Sequence, residues 1–296
     1  MNACPKVSIV SPSFNQVQFI EETICSVLNQ KYPNIEYIII DGGSTDGSVD
    51  IIRKYEKNIS YWISEKDEGQ TDAINKGLSL ATGSILAYLN TDDVYLPSTV
   101  ETVVRFFMEN PNVFMVYGDI FQMDERSHIG KRINPNNIDF YKLLSGRFYL
   151  PQPTVFFRKE VLDDIGYFDK NLNLAMDLDY WIRMYLNQYN ITYINEVLAK
   201  VRIYPNAKSI SLKHKYLGEK LQILSKVFSN SSISTEIIKR KKQVYGEVYL
   251  ESALNYIKIF YFKEAFKCFF TAFLLYPKCY FIILSAACRK VKSSLT

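Results

Sequence analysis

Several short clusters of acidic and small polar residues are placed to do chemistry. Asp92-Asp93 follows the apolar run 85–89 through Asn90-Thr91. Two carboxylates on a tight turn make a hard-oxygen site suited to Mg²⁺ or Mn²⁺, and a cation held there would neutralise a diphosphate leaving group. The same aspartates could instead cap a helix running from Pro97 onward. Asp41-Gly42-Gly43-Ser44-Thr45-Asp46-Gly47 follows a second apolar run. Its glycines permit positive φ and close backbone approach to a ligand, and Asp41 is placed to accept from a ribose hydroxyl or a base N–H. An ordinary strand-to-helix turn has the same composition. Asp177 stands at the start of a helical pattern, where the helix dipole favours a carboxylate. It is a candidate general base toward an attacking hydroxyl, or a helix cap. Asp179 lies four residues before Arg183 and is expected to pair with it.

The elements that must hold these acids follow from periodicity. Residues 7–10, 35–40, 61–64 and 85–89 read as short strands, and residues 20–28, 49–55 and 71–81 as helices. Asp46 or Ser44 is placed to cap the second helix and Thr82-Gly83 to stop the third. This alternation predicts a parallel, doubly wound sheet. Ligands of such sheets bind beyond the carboxyl ends of the strands. Ser13-Phe14-Asn15, Asp41 to Ser44, Glu65-Lys66-Asp67-Glu68 and Thr91-Asp92-Asp93 all follow strands directly, so four polar clusters should converge on one edge. Beyond residue 113 the pattern loosens, with strands expected at 113–117, 154–157, 191–194 and 198–203 and a helix at 178–186. After Tyr204-Pro205-Asn206 it turns helical, which divides the chain into a catalytic domain, 1–205, and a helical region, 206–296.

The run Val7-Ser8-Ile9-Val10-Ser11-Pro12-Ser13-Phe14-Asn15, then Ser26-Val27-Leu28-Asn29-Gln30 and Asp41-Gly42-Gly43-Ser44-Thr45-Asp46-Gly47-Ser48, resembles the opening of glycosyltransferase family 2. Asp67-Glu68-Gly69-Gln70-Thr71-Asp72-Ala73-Ile74-Asn75-Lys76-Gly77, Ala81-Thr82-Gly83 and Leu89-Asn90-Thr91-Asp92-Asp93 continue the likeness in order, over about residues 5–205. The resemblance implies a GT-A fold, a mixed α/β sheet with helices on both faces. It implies an inverting transfer of a hexosyl or N-acetylhexosaminyl group from a nucleoside-diphosphate sugar, a UDP-sugar foremost, to a hydroxyl of a saccharide or lipid-linked acceptor in polysaccharide synthesis. Pro12, Phe14 and Asn15 would line the base pocket, and Asp41, with Gly43 in its loop, would hold uracil or ribose. Asp72 and Lys76 would approach the sugar and diphosphate. Asn90, Asp92 and Asp93 form the DxD-type motif, with Asp92 and Asp93 holding Mn²⁺ or Mg²⁺, and Asp177 would be the base. Two departures stand out. Asn90 replaces the first acid of the motif, which leaves open which aspartate binds the metal directly, and Met176 replaces the acid before Asp177, which keeps Asp179 in reserve. Trp181 and Arg183 would support the Asp177 helix, and an aromatic there could also stack on a sugar. Gln152, in Phe148-Tyr149-Leu150-Pro151-Gln152-Pro153-Thr154, would reach the acceptor, or belong to a plain surface loop.

Composition narrows the alternatives. A net charge of +4 is too small for a dedicated nucleic-acid binder. The cysteines Cys4, Cys25, Cys268, Cys279 and Cys288 are scattered, odd in number and without a CxxC pair, as expected of free thiols in a reducing compartment. His128 and His214 are too far apart to suggest a zinc site. Met1 to Lys6 carries no signal-peptide run, and Lys267, Lys278 and Arg289 interrupt the most apolar stretch. A cytoplasmic protein, free or peripheral on the inner face of the membrane, is expected. The basic and aromatic C-terminal stretch reads either as helices packed on themselves or as a patch touching an anionic membrane. A sugar nucleotidyltransferase would need a Gly-rich, basic phosphate loop, which Ser11-Pro12-Ser13-Phe14-Asn15 lacks. A non-catalytic sugar-nucleotide-binding protein would not need Asp41, Asp92, Asp93 and Asp177 together.

Overall fold

The computed structural model describes residues 4–231 and 233–278; Cys279, Cys288 and Arg289 lie outside them. The elements run β1 (Val7–Ser13), α1 (Ile20–Leu28), β2 (Ile35–Asp41), α2 (Ser48–Lys54), β3 (Tyr61–Ser64), α3 (Gln70–Leu80), β4 (Ile85–Tyr88), β5 (Val94–Tyr95), α4 (Thr99–Glu109), β6 (Met115–Met123) and β7 (Ile129–Ile133). They continue with α5 (Phe140–Leu144), β8 (Phe156–Arg158), α6 (Lys159–Ile165), α7 (Met176–Leu186), β9 (Ile191–Arg202), α8 (Lys208–Ser211), α9 (Tyr216–Ser229), α10 (Thr235–Lys239), α11 (Lys241–Lys258) and α12 (Phe262–Leu275). Packing divides these into two compact units. One runs through Ile138 and resumes from Leu150 to Pro205; the other takes Asp139–Tyr149 and the described residues from Asn206 onward.

The first unit is built on a single α/β sheet of order β3-β2-β1-β4-β8-β6-β9-β5, with β7 paired to β6. Strands β1 to β4 are parallel. A central parallel strand is covered on both faces, and β1 is accordingly buried at all seven positions. Helix α3 lies so close to it that a Cβ on Gly77 would collide with the Val10 side chain. The other half of the sheet is mixed: β8 runs antiparallel to β4 and β6, β5 antiparallel to β9, and β6 parallel to β9. The parallel arrangement expected from the strand–helix alternation of the first hundred residues holds through β4, and the sheet as a whole is mixed, as the resemblance implied. Past that point β6 and β7 are joined by a tight turn, and such a connection allows only antiparallel pairing.

Three local expectations are corrected. The expected strands at 191–194 and 198–203 are one strand, β9 (Ile191–Arg202), whose register against β6 shifts beside Gly118–Ile120. The expected strand at 154–157 begins as a 3₁₀ turn, Gln152–Thr154, before β8. Helix α4 starts after Ser98, so Asp92 and Asp93 do not cap it. Asp46 does meet the start of α2, where its Oδ1 accepts the Ser48 amide at 2.9 Å.

The second unit is helical. The buried Glu247 of α11 accepts from the Tyr141 hydroxyl at 2.8 Å and pairs with Arg147 at 3.0 Å, which fastens Asp139–Tyr149 to α11. Lys220 of α9 pairs with Glu251 of α11 at 2.6 Å. Among the described residues no helix is long and apolar enough to cross a membrane.

Candidate active site

The chain leaves β1 for β2 and β3 on one side, and β4 then pairs on the other side of β1. The crevice beyond the carboxyl ends of β1 and β4 is thus a topological switch point, the usual ligand position in such sheets. Register places Ser13, Asp41 and Ser64 side by side at the tips of β1, β2 and β3. Pro12 is buried within β1, whereas Phe14 is 60% exposed just past its end. The Ser13 hydroxyl is buried with no hydrogen-bond partner among the described residues, an orphan donor at the switch point that sequence reasoning passed over.

The Asp41 carboxylate is fully buried and shapes its own loop. It accepts from the Gly43 amide at 3.1 Å, the Ser44 amide at 2.8 Å, the Ser44 hydroxyl at 2.6 Å and the Ser64 hydroxyl at 2.7 Å. Gly43 takes a φ of 83°, a left-handed conformation open to glycine at little cost. Asn15 joins this loop to the tip of β1: its side-chain oxygen accepts the Thr45 amide at 2.9 Å and its own amide donates to Ser44 Oγ at 2.8 Å.

The two neighbouring aspartates occupy different environments. Asp93 is buried, and its carboxyl accepts the Arg202 amide at 3.1 Å. Burial, with the adjacent Asp92 charge, pushes its pKa well above the ordinary carboxylate range. Asp92 is partly exposed and accepts from the Tyr204 hydroxyl at 2.9 Å. Burial raises its pKa too, against the opposing effects of that hydrogen bond and the Arg202 charge. The Arg202 side chain donates to the Asp92 carbonyl at 3.1 Å, pairs with Glu22 at 2.5 Å and lies over the Phe19 ring. The end of β9 thereby clamps the acidic turn from beneath. Arg202 and Tyr204 escaped the sequence reading. A cation between Val201 and Ile203 in a strand pattern was their one signal, since a buried arginine requires partners.

Hydrogen bonds link this turn through α3 to Leu172, shortly before α7. Gln70 donates to Asn90 Oδ1 at 2.7 Å, Asn90 donates to Gln152 at 3.2 Å, and Gln152 donates to the Tyr88 carbonyl at 2.8 Å. The next residue, Thr71, donates to the Leu172 carbonyl at 2.7 Å. Asn75 exchanges two hydrogen bonds with Phe168. Asp72 pairs with Lys170 and with Lys76, which also reaches Glu65. The Lys170 hydrogen bond is the main reason that the Asp72 pKa lies below the ordinary range despite burial. Residues 168–172 are therefore bound along α3 and deliver Asp177 to the first turn of α7, partly exposed. Asp177 Oδ1 accepts the Leu178 amide at 2.7 Å. Asp179 pairs with Arg183 at 2.9 Å, and Arg183 also donates to the carbonyls of Ile165 and Tyr167. Trp181 is 1% exposed and packs against Phe168 and Tyr180, so it supports α7 and is not available to stack on a sugar.

Comparison with known proteins shows the family and the fold. The glycosyl transferase family 2 model matches residues 8–166, a span that includes Asp41, Asp72, Asp92 and Asp93 and stops short of Asp177. A putative teichuronic acid biosynthesis glycosyltransferase of Bacillus subtilis, TuaG, is 31% identical over 209 residues, covering 69% of this chain and 82% of its own. An uncharacterized glycosyltransferase of Methanocaldococcus jannaschii is 27% identical over 265 residues, covering 87% and 88%. Among solved structures, the Pyrobaculum calidifontis mannosyltransferase PcManGT, in complex with GDP-Man and Mn²⁺, has a TM-score of 0.64 at 18% identity and covers 97% of this chain and 81% of that one. S. aureus TarS 1–349 in complex with UDP has a TM-score of 0.58 at 18% identity, covering 92% and 91%. The chain belongs to glycosyltransferase family 2 and carries its α/β GT-A fold.

Proposed function

We propose that the protein transfers a hexosyl or N-acetylhexosaminyl group, with inversion, from a UDP-sugar to a hydroxyl of a saccharide or lipid-linked acceptor in cell-surface polysaccharide synthesis. The observation that carries this reading is the linkage of Asn90 to Gln70 and of Thr71 to Leu172, which ties the acidic turn to the segment leading into the helix that bears Asp177. TuaG's name, with its teichuronic acid, and the UDP bound by TarS support the donor and pathway class.

Pro12, Phe14, Asn15 and the loop shaped by Asp41 would receive the base and ribose, with the Ser13 hydroxyl ready to donate. Among the described residues no three His, Cys, Asp or Glu gather to cage a metal. The turn offers instead an oxygen-only set, the partly exposed Asp92 with Asn90 beside it. That set suits Mg²⁺ or Mn²⁺, which keep waters and take further ligands from substrate phosphates. Such a cation, when bound, neutralises charge on the departing diphosphate. Asp92 would hold it, while the buried Asp93 keeps the turn in place through the Arg202 amide. Lys76 and Lys170, gathered at Asp72, would face the diphosphate and sugar. Asp177 takes the acceptor hydroxyl proton as that oxygen displaces the diphosphate in line, so an α-linked donor gives a β-linked product.

Melting the purified protein with UDP- and GDP-sugars, with and without Mn²⁺, tests the donor. A ligand at a hundred times its Kd stabilises the native state by about 2.7 kcal/mol, so the matching UDP-sugar with Mn²⁺ should raise Tm by several degrees. Stabilisation by GDP-sugars alone would replace the uracil assignment. No shift with any sugar nucleotide would remove the donor site altogether.

A further inference from the structure

Helices of globular proteins ordinarily turn their apolar stripe to the core. Helix α12 carries a second apolar stripe on its outward side. Ala265, Cys268 and Ala272 are its buried residues, and Ala272 clusters with Leu250 of α11. Phe262, Phe266, Phe270, Phe273 and Leu274 are all exposed, Phe266 at 71% and Leu274 at 65%. Their spacing puts them on one side of the helix. Ten of the 22 exposed large hydrophobic side chains among the described residues fall within residues 254–274, including Phe260 at 78%. Singly exposed apolar residues are ordinary, whereas a concentrated face marks an interaction surface.

The charge on this face identifies the partner. Residues 258–278 contain Lys258, Lys263, Lys267 and Lys278 against a single acid, Glu264. Lys263 and Lys267 are exposed along the border of the phenylalanine stripe, and no ion pair involves either of them among the described residues. Lysines in that position lay their stems on apolar surface and extend their ammonium groups to phosphate. Aromatic rings beside them suit the boundary between headgroups and acyl chains. A second copy of the chain fits less well, because a two-fold contact would bring the same lysines together with almost no acid to pair them.

We propose that the outward face of α12 docks on an anionic lipid bilayer, with the phenylalanines entering the headgroup boundary and Lys263 and Lys267 binding lipid phosphate. This does not depend on the donor, the acceptor or the catalytic base. The test is flotation of the full chain with vesicles of phosphatidylcholine alone or of phosphatidylcholine mixed with phosphatidylglycerol. Binding should be about tenfold stronger on the anionic vesicles and should weaken in high salt. Phe266→Ser with Phe270→Ser, and separately Lys263→Glu with Lys267→Glu, should each reduce it about tenfold, with unchanged melting and unchanged donor binding. Absence of binding to anionic vesicles, equal binding to neutral ones, or indifference to the charge reversal would overturn the proposal. So would a dimer in sedimentation velocity that the serine variant dissolves, which would assign the face to a second copy. A chain ending at Lys278 that floats where the full chain does not would assign it to residues 279–296.

Discussion

Helices α7 and α12 are both rich in aromatic residues and place them in opposite ways. In α7, Tyr180 and Trp181 go inward onto Phe168, and Asp177 is left partly exposed in the first turn. In α12 the alanines go inward with Phe269 partly buried beside them, and Phe262, Phe266, Phe270 and Phe273 go outward. The difference lies in what each helix packs against. The rings of Phe157 from β8 and of Phe168 receive α7, so large side chains fill its inner face. Helix α12 pairs with α11, where a Cβ on Gly246 would lie 3.3 Å from the Ala272 carbonyl oxygen, and so close an approach requires small residues between the helices. Aromatic content alone therefore says little about which helices build a core.

Three tests break or sharpen this comparison. The largest effect is expected at the exposed end of α7. Asp177→Asn should lower turnover by about 10²–10⁴-fold, the usual contribution of a positioned base, while melting and donor binding stay as they are because the packed face is untouched. Near-normal turnover by the purified variant would remove Asp177 from the mechanism and turn attention to Asp179. Next comes the packed face itself. Trp181→Ala should cost about 3–5 kcal/mol in denaturant unfolding, whereas Phe270→Ala on α12 should stay within about 0.5 kcal/mol. Equal losses would show that the face of α12 is covered in the native protein. The smallest effect concerns acid. The Lys170 hydrogen bond holds Asp72 below its ordinary pKa, so the folded carboxyl binds a proton less tightly than the unfolded one. Its contribution is complete above the unfolded value of about 3.9 and is lost as pH falls through the folded value. Asp72→Asn should flatten the acid limb of the Tm–pH curve, and Lys267→Ala on α12 should leave it unchanged. An acid limb equally steep in both variants would mean that the Asp72–Lys170 pair does not stabilise the fold.

Much of the first half of the sheet was legible because its signals are local. Apolar runs followed by Asp41-Gly42-Gly43 or Asn90-Thr91-Asp92 announce strand tips, and parallel strands carry all their tips to one edge. The later strands were less legible. The excursion of Asp139–Tyr149 into the helical unit depends on Tyr141 and Arg147 meeting Glu247, about a hundred residues away, which no window of sequence contains. The different surroundings of Asp92 and Asp93 were equally hidden, because they are set by Arg202 and Tyr204.

By itself the sequence determined the identity and order of the acids, the strand tips that carry them and the change to helix after Pro205, all of which follow from residue type and short-range period. Tertiary structure alone decided which carboxylate is sealed in and which stays open, which α7 residues face the core, and which side of α12 is left uncovered. Those outcomes depend on partners distant in the chain, and burial, which raises the carboxyl pKa values of Asp92 and Asp93 and commits one aromatic face to the core, is a property of the packed whole.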